Sequence, residues 1–413
     1  MAQIKPFQAY RPKKGLEDKI AALPYDVYSR EEAKIIISEN PHSFLKIDRA
    51  ETQFNDSVDI YADCVYKKAK ELFCEMIENG EFIQEQENVY YVYELTMGDR
   101  TQTGLVACAS IDDYFNQVIK KHENTRAEKE VDRIKHVSAL EAQTGPIFLA
   151  YRRNEKIAEM IKKIKMQNVL YDFVLDDHIG HRVWIIDNKD EIEFITKEFK
   201  KMSRIYIADG HHRCASAAKV GKMYRENNSN YTGTEEFNYF LSVLFPDDEL
   251  KILDYNRVVK DLNGNSVENF LKQIEEKFHI VENSLAQLIP RKKGEVCMFL
   301  ESTWYRLQIK KEFLVNDPVD GLDVSILQNT ILHPILAIND PKTDERIDFV
   351  GGIRGLSELE RRVKTDAEVA FAMYPTSIEE LFSVADANKL MPPKSTWFEP
   401  KLRSGLFIHS IKE

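Results

Sequence analysis

Cysteine is scarce in this sequence, and the few cysteines form no recognisable pattern. There are five in 413 residues, an odd number without a C-x-x-C pair. Such spacing indicates neither a disulfide framework nor a zinc site. No apolar run approaches the ~20 residues of a membrane span, and the first ten residues lack the apolar core of a signal peptide. We therefore expect a cytoplasmic protein without a membrane partner.

Several sequence motifs that mark common enzyme classes are missing as well. The chain has no Walker G-x-x-x-x-G-K-[ST], no kinase glycine-rich loop, no G-x-G-x-x-G after a strand and no G-x-S-x-G elbow. Positive charge is in deficit, because the formal net charge is −11. This balance argues against a nucleic-acid partner, since affinity for a phosphate backbone comes from Lys and Arg. Any phosphate ligand must therefore be held by a local basic site.

The chain does contain helix and strand signals along its whole length, without internal repeats. With 43% hydrophobic residues, it is long enough to bury a core and to form two or three domains. Strands and helices intermix, with several hairpins, which predicts an α+β fold with mixed sheets. We place one region at residues 1–245, and a C-terminal α+β unit that packs against it at residues 246–413.

Local signals predict individual elements within these regions. Ser29 and Glu32 have the spacing of a capping box at a helix start. Two strand runs are joined by a hairpin connection at Met97–Arg100. The sequence further predicts a helix from about Val58 to Asn79, a helix near Asp323 to Leu332, a turn at Phe349–Gly352, a rigid turn within Pro392–Phe398 and a last strand at Leu406–His409.

The segment from Ile205 to Ala218 is the strongest indication of function. It reads as an apolar strand, a turn at Asp209-Gly210, and a helix that begins near His211. A helix start of this kind directs backbone N–H groups at whatever lies above the turn. Cations in the first helical turn are unfavourable unless an anion is present. The pattern therefore predicts a phosphate or carboxylate site, with Arg213 as a charged clamp.

The polar residues of this turn need separate roles. His211 and His212 are adjacent and point in different directions, so one is expected to donate to a transferring phosphoryl group and the other to contact a neighbouring phosphate or the turn. A phosphohistidine intermediate ranks below direct in-line transfer. Zinc is disfavoured because no third ligand lies at a known spacing. Asp209 either holds a divalent ion such as Mg²⁺ or shapes the turn.

A second polar cluster runs from Lys121 to Arg133, where eight of thirteen side chains are charged. One interpretation is a solvated helix face with ion pairs from Arg126 to Glu130 and from Lys129 to Asp132. The other is a functional loop that starts at His122, because loops between helices often carry function.

Under the functional interpretation, the charged residues take the roles that phosphoryl transfer requires. Glu123 is the preferred general base for a hydroxyl proton. Asp26 is its rival, although Asp26 is equally suited to capping the next helix. Arg133 is expected to bind phosphate through its guanidinium, and Lys129 to add a point charge.

Two family resemblances narrow this chemistry. The Asp209–Arg213 motif, with Ala215 and Ala218, resembles the phosphate-binding motif of the ParB/sulfiredoxin superfamily, in the form that free-serine kinases carry. That resemblance implies a ParB/sulfiredoxin-like core. The chain as a whole resembles the family catalogued as domain of unknown function 1015. The segments that carry this second resemblance are Ile4–Phe7, Leu23–Val27, Lys121–Thr125, Asp132-Arg133, the Asp209–Arg213 motif, Asp348–Gly352 and Met391–Phe398.

The resemblances imply a reaction and a set of site residues. The second one matches His122, Glu123, Thr125, Asp132 and Arg133 individually, which marks them as site residues. The first implies phosphoryl transfer on serine or phosphoserine, as a kinase or a phosphatase, with ATP or ADP and Mg²⁺ as possible cofactors. The direction stays open, since one site stabilises the same transition state both ways. The alternatives are a nucleotide-binding switch like the partition proteins and a structural protein with a relic site. The oligomeric state is not indicated.

Overall fold

A computed structural model describes residues 1–412, and the chain in it forms two compact units. The first unit contains Met1–Leu250 together with the residues from Pro400 onward, and the second contains Lys251–Glu399. The second unit is therefore an insertion in the first. The expected boundary at 245/246 lies near the break after Leu250, but the final residues belong to the first unit, because their backbone pairs with strand and loop residues there.

The first unit is built on a nine-stranded mixed sheet. Ile147–Tyr151 runs parallel to Tyr239–Pro246, and Ile205–Asp209 runs parallel to the short strand Ile119–Lys120. The other pairs are antiparallel, so the predicted α+β fold with mixed sheets is confirmed. The strand order is Ile119–Lys120, Ile205–Asp209, Ile147–Tyr151, Tyr239–Pro246, Arg100–Ser110, Tyr90–Met97, Gly180–Ile186 and Tyr171–Val174, with Ile4–Lys5 also paired to Arg100–Ser110.

Helices connect the strands of this unit, and local sequence signals start several of them. Ser29 and Glu32 form the predicted capping box, and Met97 pairs with Arg100 across the predicted hairpin. Within residues 1–412, none of the helices combines the length and the apolar character that a membrane span requires. The α-helices of the first unit are Glu17–Ile20, Arg30–Glu39, Leu45–Asp48, Asp63–Glu78, Ile111–Phe115, Ala127–Leu140, Glu155–Ile164, Lys189–Phe199 and His211–Asn227. Two short strand pairs complete it, Tyr10–Pro12 with Phe82–Gln84 and Ala142–Gln143 with His409–Ser410.

The second unit is a six-stranded antiparallel sheet with helices packed against it. Its own apolar core includes Trp304, Phe299 and Leu359. A short pair, Ile252–Leu253 with Trp397–Phe398, lies apart from the main sheet. The strand order is Phe278–Ser284, Thr303–Ile309, Glu295–Leu300, Val369–Met373, Tyr255–Val259 and Ile347–Gly351, and the helices are Val267–Lys277, Asp323–Leu327, Leu356–Thr365 and Ile378–Asp386.

Two predicted elements of the first unit were displaced. The helix expected from Val58 begins at Asp63, because the Asp59 carboxylate accepts the Tyr61 N–H at 3.0 Å and forms a turn instead. The last strand is His409–Ser410 and not Leu406–His409.

Two predictions in the second unit were also wrong in detail. The expected turn at Phe349–Gly352 is largely the strand Ile347–Gly351, in which Phe349 pairs with Arg257. The α-helix that starts at Asp323 ends at Leu327, and Gln328–Leu332 continues as a π-helix.

Candidate functional site

The candidate site is built around a glycine turn that follows one strand of the large sheet. The strand Ile205–Asp209 ends there and the helix His211–Asn227 begins, with Gly210 between them at φ 89°. Glycine adopts this left-handed backbone without the penalty that a Cβ brings. Among residues 1–412, no side chain caps the helix start. The first-turn N–H groups are therefore available to an anion, as at phosphate-binding helix termini.

Arg213 folds back against this turn. The guanidinium of Arg213 packs closely on two glycines. A Cβ atom added at Gly210 would lie 3.0 Å from Arg213 Nη2, and a Cβ atom added at Gly145 would lie 3.5 Å from Arg213 Nη1. Within residues 1–412 its one hydrogen bond is from Nη1 to the Pro146 carbonyl, at 2.7 Å. A guanidinium carries five N–H donors, so most of the donors of Arg213 remain for a ligand at the helix start.

The carboxylate of Asp209 is ionised, and both of its oxygens contact other groups of the protein. Its Oδ2 lies 3.0 Å from Lys401 Nζ, and its Oδ1 accepts the Gly210 N–H at 2.8 Å. Burial acts to raise its pKa, but the charges of Lys401 and Arg213 hold the pKa well below its usual range. In residues 1–412 no three His, Cys, Asp or Glu side chains gather as metal ligands. A magnesium ion at this point would therefore depend on phosphate oxygens and water.

The two motifs that are distant in sequence lie together. The Glu123 Oε2 is 3.8 Å from His211 Nδ1, and the imidazoles of His122 and His211 meet edge to face at 4.5 Å. In residues 1–412 neither ring nitrogen of His122 has a hydrogen-bond partner that meets the usual distance and angle limits. The backbone of Ile207 is still close enough to raise the pKa of His122, against the effect of burial. Burial lowers the pKa of His122 to about 4 and holds that of His211 well below its usual value. Both rings are neutral at pH 7.

His212 makes a different contact from His211, as expected for adjacent residues. Its Nε2 accepts the backbone N–H of Arg126 at 2.9 Å. Burial lowers the pKa of His212, while Glu130 and Asp26 act in the opposite direction. In the neutral ring the proton must lie on Nδ1, since Nε2 is an acceptor. His212 therefore joins the Lys121–Arg133 segment to the helix start.

The helix Ala127–Leu140 does not carry the predicted surface ion pairs. Glu130 binds Lys219 and the Thr125 hydroxyl instead of Arg126. Its backbone carbonyl accepts from the Ser216 hydroxyl at 3.1 Å. This face of the helix is turned toward His211–Asn227 and not toward solvent, which is why the pairing differs.

Asp132 is likewise buried and does not pair with Lys129. It accepts from the Tyr66 hydroxyl at 2.9 Å and from Arg133 Nε at 2.9 Å. The Arg133 guanidinium lies over the Tyr25 ring, 3.8 Å from its centroid. Burial acts to lower the pKa of Arg133, but Asp132, Tyr25 and Asp48 raise it. Burial also raises the pKa of Tyr25 to about 12.

A cavity of about 190 Å³ opens beside this group. Its wall mixes acids and bases with tyrosines and apolar side chains. A smaller neighbouring cavity of about 40 Å³ shares part of the wall and continues to Gly145 and Arg213. The charged residues of the larger cavity are Asp26, Asp48, Arg49, Glu51, Lys129, Asp132 and Arg133, and both cavities are lined by Tyr25, Asp48, Arg133 and His136.

Sequence analysis did not find several of these residues. The Thr144 hydroxyl donates to Asp48 Oδ1 at 3.1 Å, and His136 Nε2 lies 3.9 Å from the same oxygen. Burial lowers the pKa of His136 to about 4. A signal for His136 was present, because it lies four residues after Asp132 and three after Arg133, and helix side chains at these spacings are neighbours. Asp48 and Thr144 follow no local pattern that marks a site.

Comparison with known families agrees with the end-to-end resemblance. A family model described as "Protein of unknown function (DUF1015)" matches residues 4–325. The chain belongs to this family. No curated protein matches the sequence.

Several solved structures are similar to this DUF1015 chain at low sequence identity. A free serine kinase in complex with AMP is 14% identical, with a TM-score of 0.35, and covers 72% of this chain and 90% of its own. A variant free serine kinase with ADP is 13% identical, with a TM-score of 0.34 and coverage of 74% and 92%. SbnI with a C-terminal truncation, from Staphylococcus aureus, is 10% identical, with a TM-score of 0.37 and coverage of 71% and 82%.

Proposed function

We propose that the first unit transfers a phosphoryl group to or from the hydroxyl of a small amino acid, with serine and phosphoserine as the leading pair. One observation carries the proposal: an uncapped helix start with Arg213 against it lies next to a cavity lined by both acids and bases. The resemblance of the Asp209–Arg213 motif to the ParB/sulfiredoxin phosphate-binding motif also supports phosphoryl transfer.

The cavity wall has the chemistry of a zwitterion site. An α-ammonium group needs a carboxylate partner, and an α-carboxylate needs a cation. Asp48 supplies the first and Lys129 supplies the second. Arg49 and Glu51, in the same wall, form an ion pair with each other instead. The volume of about 190 Å³ is below the ~300 Å³ at which drug-sized pockets begin. A small amino acid therefore matches this cavity better than a nucleotide does.

The phosphoryl group would occupy the helix start. Its oxygens would accept from the first-turn N–H groups and from the guanidinium of Arg213. His212 is neutral and its Nε2 is an acceptor, so its Nδ1–H can donate one hydrogen bond without adding a charge. Nδ1 of the neutral His211 faces Glu123 instead. ATP or ADP would present its phosphates here. Magnesium, held by those phosphates, would neutralise charge on the transferred group.

Two carboxylates are available to take the hydroxyl proton. Asp26 lines the larger cavity, whereas Glu123 lies beside His211. For an amino acid seated in the cavity we propose Asp26 as the general base and Glu123 as the group that orients His211. This assignment reverses the order of preference that the sequence alone gave.

Phosphorus NMR of the purified protein tests the reaction itself. The protein is incubated with L-serine and Mg²⁺ together with ATP, ADP or pyrophosphate, and in a separate sample with phosphoserine alone. We expect a new phosphoserine resonance in one arm, or release of phosphate in the other. Binding of nucleotide without turnover in any arm would instead support the nucleotide-binding switch.

A pair of isosteric variants tests the choice of base. General-base catalysis supplies ~10²–10⁴-fold, so Asp26→Asn is expected to lower kcat by about that factor with little change in nucleotide affinity. Glu123→Gln should have a smaller effect. Asp99→Asn is the matched control, because Asp99 is exposed in the hairpin between Met97 and Arg100. The reverse ranking of the two variants would return the role to Glu123, and full activity in both would exclude a carboxylate base.

A further inference from the structure

The second unit contains a buried arginine that has no acidic partner among the described residues. Arg257 lies on the strand Tyr255–Val259 and is 3% exposed. No carboxylate within residues 1–412 is close enough to form an ion pair with it. Its hydrogen bonds go to two backbone carbonyls, those of Tyr255 and of Lys394, the latter at 3.1 Å. No side chain of residues 1–412 therefore balances the charge of this guanidinium.

An unbalanced buried charge is costly, because removal from water is repaid only by a paired and hydrogen-bonded partner. Burial lowers the pKa of Arg257 to about 10, and Tyr255 is the titratable group that acts against this. The guanidinium is thus still charged at pH 7. It carries five N–H donors, and two hydrogen bonds are made within residues 1–412. Both charge and donors are left for a group that comes from outside the chain.

A second cation, which also has no acidic partner in the part of the chain that the structure describes, lies on the same tyrosine. The exposed Lys394 side chain places its Nζ 5.4 Å from the centre of the Tyr255 ring. Its segment is fixed by two hydrogen bonds, from the Ser395 hydroxyl to the Pro392 carbonyl at 2.7 Å and from the Thr376 hydroxyl to the Ser395 carbonyl at 2.9 Å. Lys394 is thus presented by a rigid turn, which is the turn that the sequence predicted in this segment.

Aromatic rings form the rest of the surroundings. Trp397 and Phe349 pack on Tyr255 with ring centres 5.0 Å and 6.1 Å away, and the Arg257 guanidinium lies 5.4 Å from the centre of Phe349. These rings attract a cation less strongly than a carboxylate does. They also displace water, and this strengthens any ionic contact made beside them.

We propose that Arg257 and Lys394 together bind a phosphate group. Two cations balance a dianion, the planar guanidinium matches two phosphate oxygens at once, and the lysine adds a mobile point charge. The site joins two segments that mark the family, Asp348–Gly352 and Met391–Phe398. It lies in the second unit and does not depend on the function proposed for the first.

Fluorescence titration of the full-length protein with inorganic phosphate tests the site. Trp397 is one of three tryptophans, and it packs on Tyr255 within the site. We expect a saturable change in emission that persists in Arg213→Ala, which weakens the phosphate site of the first unit, and is lost in Trp397→Phe. Acetate at equal ionic strength should bind at least tenfold more weakly. A parallel titration with phosphoserine distinguishes free from esterified phosphate.

Two variants assign the signal to the cations. Lys394→Met should weaken phosphate binding at least tenfold and still fold, because Arg257 contacts only the backbone carbonyl of residue 394. Arg257→Lys keeps the charge but loses the two-pronged contact, and should weaken binding to a similar extent. Lys364→Met, an exposed lysine of the same unit, is the control and should bind as the native protein does. No saturable response in the native protein, or equal affinity in Lys394→Met and Lys364→Met, would overturn the proposal.

Discussion

The buried imidazole of His122 makes the stability of the first unit depend on pH. Its pKa is about 4 in the folded protein and about 6.5 in an unfolded chain. The unfolded state therefore binds more protons between these values, and the free energy of unfolding falls as the pH falls. From pH 7 to pH 5 this single residue accounts for a loss of roughly 2 kcal/mol. The loss continues to about pH 4 and then stops.

The variant His122→Asn removes the imidazole and should remove this part of the pH dependence. Urea unfolding at pH 7 and pH 5 measures it, with the protein labelled by 5-fluorotryptophan so that the fluorine resonance of Trp184 reports the first unit. The native protein should lose more stability than the variant over this interval, by roughly 2 kcal/mol. His136, whose pKa is also lowered by burial, remains in both proteins and cancels in the comparison. The pKa of His211 is lowered by burial and by His122, so the difference between the two proteins includes the effect of His122 on His211.

His178→Asn is the matched control, since His178 is exposed on the same unit. Its unfolding free energy should change with pH as that of the native protein does. If His122→Asn and the native protein lose the same stability between pH 7 and pH 5, His122 titrates normally in the folded state. The argument from burial would then be refuted.

Three further substitutions probe binding and packing. Arg213→Ala should weaken phosphoserine binding at least tenfold, since a charge-assisted contact contributes roughly 1.5–3 kcal/mol. Calorimetry measures this affinity, and a folded variant that binds phosphoserine as tightly as the native protein would contradict the prediction. Gly221→Ala should destabilise the first unit by about 1–3 kcal/mol in urea unfolding, because its Cβ would lie 2.2 Å from the Phe237 carbonyl oxygen. Ser29→Ala should cost about 1 kcal/mol in the same assay, because it removes half of the capping box with Glu32; an unchanged midpoint would show that the cap contributes nothing.

The parts of the fold that follow from short-range chemistry were predictable. The Ser29–Glu32 capping box and the Met97–Arg100 hairpin depend on residues a few positions apart, and both are present. The strand and glycine turn before His211 are of the same kind. The predicted helix start at Val58 was wrong, because an aspartate turn forms there instead of the first helical turn. The spacing of apolar residues contains no information about such a turn.

Much of the candidate site depends on contacts that no local pattern contains. Asp48, on a short helix, meets Thr144 from a loop 96 positions away. Glu130 is held by Lys219, a residue of a different helix, so the expected pairing along one helix was wrong. Such partners are chosen by how helices pack on the sheet, and sequence spacing reports only the neighbours within a single helix.

The insertion of the second unit into the first has a consequence for the order of synthesis. Ser404 pairs with Ala22, and His409 pairs with Gln143, while Ser404 and Gln143 also line the smaller cavity. During translation, residues 251–399 must leave the ribosome before these partners exist. Domains generally fold as units while the chain emerges, so the second unit is expected to fold first. The cavity wall of the first unit closes only when the last segment is made, and a nascent chain has no complete site.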